Sequence, residues 1–256
     1  MNSFSFLRAL FFATTLLVGV NSACGQSTDE LMAKGDVEDQ RLHAGEALKY
    51  YLPAEKAEPK NVRLLLRIAR QYRHLMADAS GNFEKLRLGN VALGYAQRAV
   101  ALAPNDAEAH LSVAISYGKM LPIMGSKDQV AITPKIKSEV DQAIKLDPNN
   151  DLAWHVLGKW HRVLADVPAL KRTLAPLIYG KLPKGTNEEA CRCFDKAIDL
   201  NPKRSMHYIE LGRVYAQMGK KAEAKKMIEK GLAMPSVDKD DPEEKARGRE
   251  TLEKLK

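Results

Sequence analysis

The sequence predicts an all-α protein, a right-handed superhelix of antiparallel helix pairs, and three observations predict it. Alternating runs of β-branched residues hardly occur, while Ala, Leu, Lys and Glu dominate. Apolar residues recur at spacings of three and four, the period of a helix with one buried face. One frame also returns four times: Ala54-x4-Pro59-x12-Tyr72, Ala99-x4-Pro104-x12-Tyr117, Ala143-x4-Pro148-x12-His161 and Ala197-x4-Pro202-x12-Tyr215. Self-similarity at that scale marks a repeat architecture, in which each unit buries its apolar face against its neighbours.

The frame follows from how helices end and begin. A helix closes near the alanine-plus-five position, Pro with Asn or Lys makes the turn, and a new helix starts two or three residues later. Position 4 of the new helix is Leu65, His110, Trp154 or Tyr208. Position 7 is Ile68, Val113, Leu157 or Leu211, and position 8 is Ala69, Ala114, Gly158 or Gly212. Positions 4, 7, 8 and 11 share one helix face, and the small residue at 8 admits a close partner helix. These residues make up the tetratricopeptide pattern, which the chain resembles.

The last repeat is nearly regular, with nine residues from Tyr215 to Ala224. The others carry lengthened inter-helix insertions: 20 residues from Tyr72 to Ala92, 19 from Tyr117 to Ile136 and 29 from His161 to Ala190. An excess of 11 residues is close to three helical turns, so longer helices keep the same face inward. Gly81, Pro122, Gly125 and Pro134 point to loop in part of each insertion. A further, weakly marked pair precedes Leu65.

The ends differ from the middle. Arg8, the apolar run Ala9 to Val20 and the small residues around Ala23 and Gly25 have the layout of a secretory signal over residues 1–25. On that reading the mature chain starts at Gln26 and is exported, periplasmic or secreted. Cys24 raises a lipoprotein alternative, and retention as an N-terminal membrane anchor ranks third because the run is short for a bilayer. The repeat domain then spans residues 26–238. Residues 239–256 read as a C-terminal capping helix, with Asp241 as N-cap, Pro242 at the first helical position and Glu244 completing a capping box.

Nothing in the chain points to catalysis, a metal or a cofactor. The six histidines lack a metal-ligand spacing, and no H-E-x-x-H, G-x-S-x-G or phosphate-binding Gly-Lys-Ser/Thr loop occurs. Cys191 and Cys193 point to different sides of one helix and read as one half-buried and one exposed thiol. Trp154 reads as core, while Trp160 stays open. The net charge of +8 favours anionic partners. Nucleic acid is an unlikely one, because no recognition motif or interleaved aromatic accompanies the basic residues.

Residues 157 to 202, "LGKWHRVLADVPALKRTLAPLIYGKLPKGTNEEACRCFDKAIDLNP", resemble the regulator of microtubule dynamics family. The resemblance rests on Leu157, Gly158, Lys159, Trp160, Lys171, Arg172, Leu174, Ala175, Tyr179, Gly180, Pro183 and Thr186 to Ala190, and continues through the last repeat and "DKDDPEEKA". It implies a tetratricopeptide-like helical domain that works by binding, with microtubules as partner only if the chain is cytosolic.

In such superhelices positions 2, 5, 9, 12 and 13 of each first helix line the concave groove. Here they include Arg63, Leu66, Arg70, Arg73 and His74, then Lys119, then His155, Lys159 and Arg162, then Arg213 and Gln217. This face is basic and partly apolar. It suits a non-enzymatic scaffold or adaptor that takes an anionic protein or peptide segment. The alternative is a carrier that holds an apolar anionic, lipid-like molecule between the lengthened helices.

Overall fold

The computed structural model describes residues 27–168 and 182–256. These form 11 α-helices with no strand among them. Ten of the helices make five antiparallel pairs: α1 (Thr28–Gln40) with α2 (Ala44–Ala57), α3 (Val62–Asp78) with α4 (Asn82–Leu102), and α5 (Ala107–Met120) with α6 (Ser126–Leu146). They are followed by α7 (Asp151–Ala165) with α8 (Asn187–Leu200), and α9 (Ser205–Gln217) with α10 (Lys221–Ala233). Helix α11 (Asp241–Lys254) follows alone and packs on α9 and α10. From α3 onward, the first helices of successive pairs touch one another and form the continuous inner layer of a tetratricopeptide-like superhelix.

The frame proline explains how each pair is joined to the next. Two residues after it stands Asn61, Asp106 or Asn150, whose side chain accepts a hydrogen bond from the backbone N–H of Leu64, Ala109 or Ala153, at 3.1, 3.0 and 3.2 Å. Each satisfies one of the orphan donors at a helix start. A second bond closes three of the turns from the other side. His110 Nε2, Trp154 Nε1 and Tyr208 Oη, all at position 4, donate to the carbonyls of Pro104, Pro148 and Pro202 at 2.9, 2.8 and 3.1 Å. In three of the four frames position 4 therefore takes a ring that packs and also carries a polar edge.

The insertions are mostly helix. Helices α4 and α6 have 21 residues each and α3 has 17. The α3–α4 turn is only residues 79–81, closed by Gly81 at φ +79°, a left-handed conformation that favours glycine. Pro122 lies in a short 3-10 turn and Gly125 caps α6, but Pro134 does not mark a loop: it lies inside α6. There it stays tolerated because tertiary contacts hold that turn. Thr133 is buried, its hydroxyl donates to the Gln129 carbonyl at 2.6 Å, and the buried Trp160 indole donates to the Thr133 carbonyl at 2.9 Å. Met76, Leu88, Met120, Val140, Trp160 and Leu164 belong to one core running through pairs two to four. The centre of the third insertion, including Lys171, Arg172, Leu174, Ala175, Tyr179 and Gly180, lies outside the described residues, as does the signal-like stretch 1–25.

In pairs four and five, position 8 marks a close approach of the two helices. A Cβ added to Gly158 would stand 3.0 Å from the Phe194 ring of α8, and one on Gly212 would stand 2.6 Å from Ile228 and 2.9 Å from the Ala224 carbonyl of α10. The capping box expected at α11 does not form. Helix α11 starts one residue after Asp240, and Asp241 is fully buried, accepting from the N–H groups of Val237 and Asp238 at 2.8 and 2.9 Å and from the Ser205 hydroxyl at 2.7 Å. Its carboxylate ties the preceding turn to α9 instead of capping its own helix.

Because the obstruction at Gly212 includes backbone, Gly212→Leu is expected to lower the unfolding free energy by about 3 kcal/mol. A urea titration followed by far-UV circular dichroism measures the change.

Candidate functional site on the concave face

The inner layer brings the expected groove residues to one side of the molecule, but few of them are free cations. Arg63 stands exposed without an ionic partner among the described residues, and Leu66 is half-buried beside Leu65. Arg70 pairs with Asp39, which α1 supplies. Arg73 is buried and, among the described residues, its side chain bonds to two hydroxyls, Ser112 Oγ at 2.8 Å and Ser116 Oγ at 3.3 Å. Burial, with the Arg70 charge nearby, lowers its pKa to about 10. Lys119 reaches Asp240 at 2.5 Å and Lys159 reaches Glu244 at 2.8 Å, both from the C-terminal segment.

Between α7 and α9 the charges are buried or half-buried. Glu210, with no exposed surface, accepts from Arg162 Nε at 2.6 Å and also pairs with Arg213. Arg162 donates to Gln217 Oε1 at 2.9 Å, and Gln217 returns a bond to the Arg162 carbonyl at 3.2 Å. Burial alone would raise the Glu210 pKa, but the positive charges of Arg162, Lys159 and Arg213 hold it well below the usual carboxylate range. At Asp240 the same opposition holds: burial raises its pKa, and Lys119, then His74 and Lys159, bring it below the ordinary value. Positions 9, 12 and 13 of consecutive first helices thus form one cationic strip whose counter-charges come from α1, from position 6 of α9 and from the C-terminal segment.

His155 is buried and belongs to a relay rather than to an open groove. The Asp151 carboxylate accepts from His207 Nε2 at 2.9 Å, which leaves His207 Nδ1 to accept from His155 Nδ1 at 3.0 Å. The Phe194 ring meets His155 edge-on, and Lys159, Arg204, Glu210 and Asp238 are the charges around the pair. Burial lowers the pKa of both imidazoles, against the pull of Asp151 on His207.

Other candidate chemistry is sparse. Among the described residues no group of three or more His, Cys, Asp and Glu side chains could hold a metal ion. Cys191 is half-buried and Cys193 is buried rather than exposed, its thiol pushed up to about 12 by burial. A cavity of about 200 Å³ lined by Gln97, Val100, Val113, Tyr117, Lys135, Ser138 and Glu139 lies away from the strip. No helix among the described residues is long and apolar enough to cross a membrane.

The sequence profile described as "Regulator of microtubule dynamics protein 1-3" matches residues 25–256. The chain belongs to the regulator of microtubule dynamics family. Regulator of microtubule dynamics protein 1 of Mus musculus is 28% identical over 243 residues, covering 93% of this chain and 79% of the relative. The Bos taurus protein 1 is 30% identical over 79% of this chain and 65% of its own length. For protein 2 of Mus musculus the figures are 24% identity, 89% of this chain and 56% of the relative, so this chain spans little more than half of that protein. A thermophilic TPR protein of Thermus thermophilus superposes with a TM-score of 0.65 at 17% identity, covering 88% of this chain and 99% of that one, which shows the fold alone. A MamA chain of Desulfovibrio magneticus gives 0.51 at 15% identity over 82% and 96%.

These matches overturn one expectation from the sequence. The relatives are mammalian proteins named as regulators of microtubule dynamics, with no export in that description. The expectation of an exported or N-terminally anchored chain does not stand for this family member.

The acids of the strip were not visible in the repeat frame. Asp39, Asp240 and Glu244 lie outside it and Glu210 sits at a position not counted as inner; the acidic run 238–244, opposite in sign to the strip, was the one available signal.

Two measurements follow from the buried charges. Glu210→Ala leaves Arg162 buried without its carboxylate and is expected to cost about 3 kcal/mol of stability, read from urea midpoints. For the His155–His207 pair the folded pKa values lie below the ordinary 6.5. The unfolded chain therefore binds protons first as pH falls, so stability is full above about 6.5 and is lost below it. His155→Asn, which does not titrate, is expected to shrink the fall in urea midpoint between pH 7 and 5.

Proposed function

We propose that this family member is a non-enzymatic adaptor whose concave cationic strip captures an acidic polypeptide segment. The observation that carries the reading is the state of Lys119 and Lys159. Each already holds a carboxylate from a segment outside the repeats, in the geometry an acidic ligand would use. Arg63 adds a free cation near one end, and half-buried Leu66 and Leu152 offer apolar contact beside the charges. The relatives' name suggests the microtubule as the partner that carries the segment. Charge-led capture of this kind gives fast, salt-sensitive association and specificity from matched potentials.

The test is co-sedimentation with polymerised tubulin across a salt series, for the wild type and for a variant with Arg63→Gln, Lys119→Gln and Lys159→Gln. The wild type should pellet with the polymer at low salt and release as salt rises, because exposed pairs are screened. The variant should bind roughly tenfold more weakly at low salt, the effect of losing about 1.4 kcal/mol. Equal pelleting by both proteins would place the binding surface elsewhere.

A further inference from the structure

The C-terminal segment does more than an end cap requires. A cap that shields the last pair needs contacts with α9 and α10, and α11 makes them. Yet the charged side chains at its start reach back across the inner layer. Lys239 pairs with Asp78 at the end of α3 at 2.7 Å, Asp240 with Lys119 at the end of α5 at 2.5 Å, and Glu244 with Lys159 of α7 at 2.8 Å. The start of the segment, residues 239–244, thus reaches side chains of pairs two to four, where a cap has no work to do.

What holds it there is also unusual for this protein. The buried residues of α11 are Asp241, Glu244, Lys245 and Gly248, so no large apolar side chain is fully buried from it. The paired helices bury Leu, Ile, Tyr or Phe instead, as α3, α8 and α9 show. The docked state is also imperfect, since Glu244 Oε2 is buried with no hydrogen-bond partner. Attachment through charge pairs, a glycine contact and the hydrogen bonds of the buried Asp241, with no large apolar side chain, is weakened by salt and by competing anions more readily than an apolar interface is.

We infer that residues 238–256 are a releasable occupant of the cationic strip, so that an acidic partner binds by displacing the chain's own tail. The inference rests on the acidic-ligand reading above and names how that site is regulated. It also describes the ligand: Asp240 and Glu244 stand four residues apart, one turn at a helix start, and meet lysines from two successive first helices. A partner segment with carboxylates at that spacing satisfies the same two lysines and leaves neither one buried without a counter-charge.

The experiment compares three full-length proteins: wild type, a double variant Asp240→Asn with Glu244→Gln, and Gly248→Leu. The last keeps both carboxylates but dislodges α11 sterically, since even a Cβ there would stand 3.1 Å from Ile228 and 3.2 Å from Ile209. Hydrogen exchange read by mass spectrometry reports release of residues 241–254, and unchanged protection of α3 to α9 confirms that the repeats stay folded. The probe is a fluorescein-labelled octaglutamate peptide, followed by anisotropy. Both variants should exchange the tail faster. They should bind the peptide about tenfold more tightly than wild type, the factor for a tail that covers the strip roughly 90% of the time. Peptide binding to the wild type should speed tail exchange as well.

Variants that release the tail yet bind no more tightly overturn the inference, and so does wild-type binding that leaves tail exchange unchanged. In either case the acidic-ligand reading survives. Absence of peptide binding in all three forms, with the tail released, overturns that reading and this inference together.

Discussion

The last two pairs in this protein depend on two helices approaching until a side chain at the crossing has no room. At Gly158 the neighbour is a phenyl ring, and at Gly212 it is backbone as well as Ile228. That contact sets the spacing between first and second helices, and from it follows the position of the inner-layer side chains there. The proline turns add the angle between pairs, three of them fixed by a side-chain cap from one side and three by a ring donor from the other. With spacing and angle set, residues 40 to 50 positions apart in the chain, such as Arg162 and Glu210, fall within hydrogen-bond distance.

Charge then does on the inner face what apolar packing does inside the pairs. Arg162, Glu210, Arg213 and Gln217 join α7 to α9, Arg73 joins α3 to α5 through two serines, and Arg67 joins α3 to α1 through Asp36 at 2.6 Å. Buried pairs of this kind need not add stability relative to apolar residues of the same volume, but they are costly to break singly and so fix which helix faces which. The strip of Lys119 and Lys159 belongs to the same layer and differs in one respect: its carboxylates arrive from the start of α11 and the residue before it, a helix that buries no large apolar side chain. The proposed binding strip and a structural charge layer are therefore continuous here, and the distinction between them lies in how each counter-charge is attached.

Much of the fold was legible because repeats announce themselves by spacing. Positions 4, 7 and 8 were assigned from periodicity, and the pair boundaries fall where proline and the N-cap residues put them. Pro134 misled because a local signal was overruled by tertiary support from Trp160 and Thr133. Asp241 misled because a good capping sequence was used to hold a turn instead. The site was half legible. Helical periodicity says which face of its own helix a side chain lies on, so the basic strip could be drawn. It says nothing of what another element places opposite, so Asp39, Glu210, Asp240 and Glu244 could not.

The long helices of the middle pairs bear on how the molecule comes apart. In a repeat protein stability is close to a sum over units and their neighbour interfaces, so an array of equal units frays from either end. Here α4 and α6 run to 21 residues while α1, α9 and α10 have 13, and the largest core joins pairs two, three and four. The array is therefore unequal: a stiff central block with weaker margins, in which loss of the last pair or the tail need not propagate inward. Such a block would let the C-terminal end open and close, as proposed, while the inner wall of the middle pairs keeps its shape.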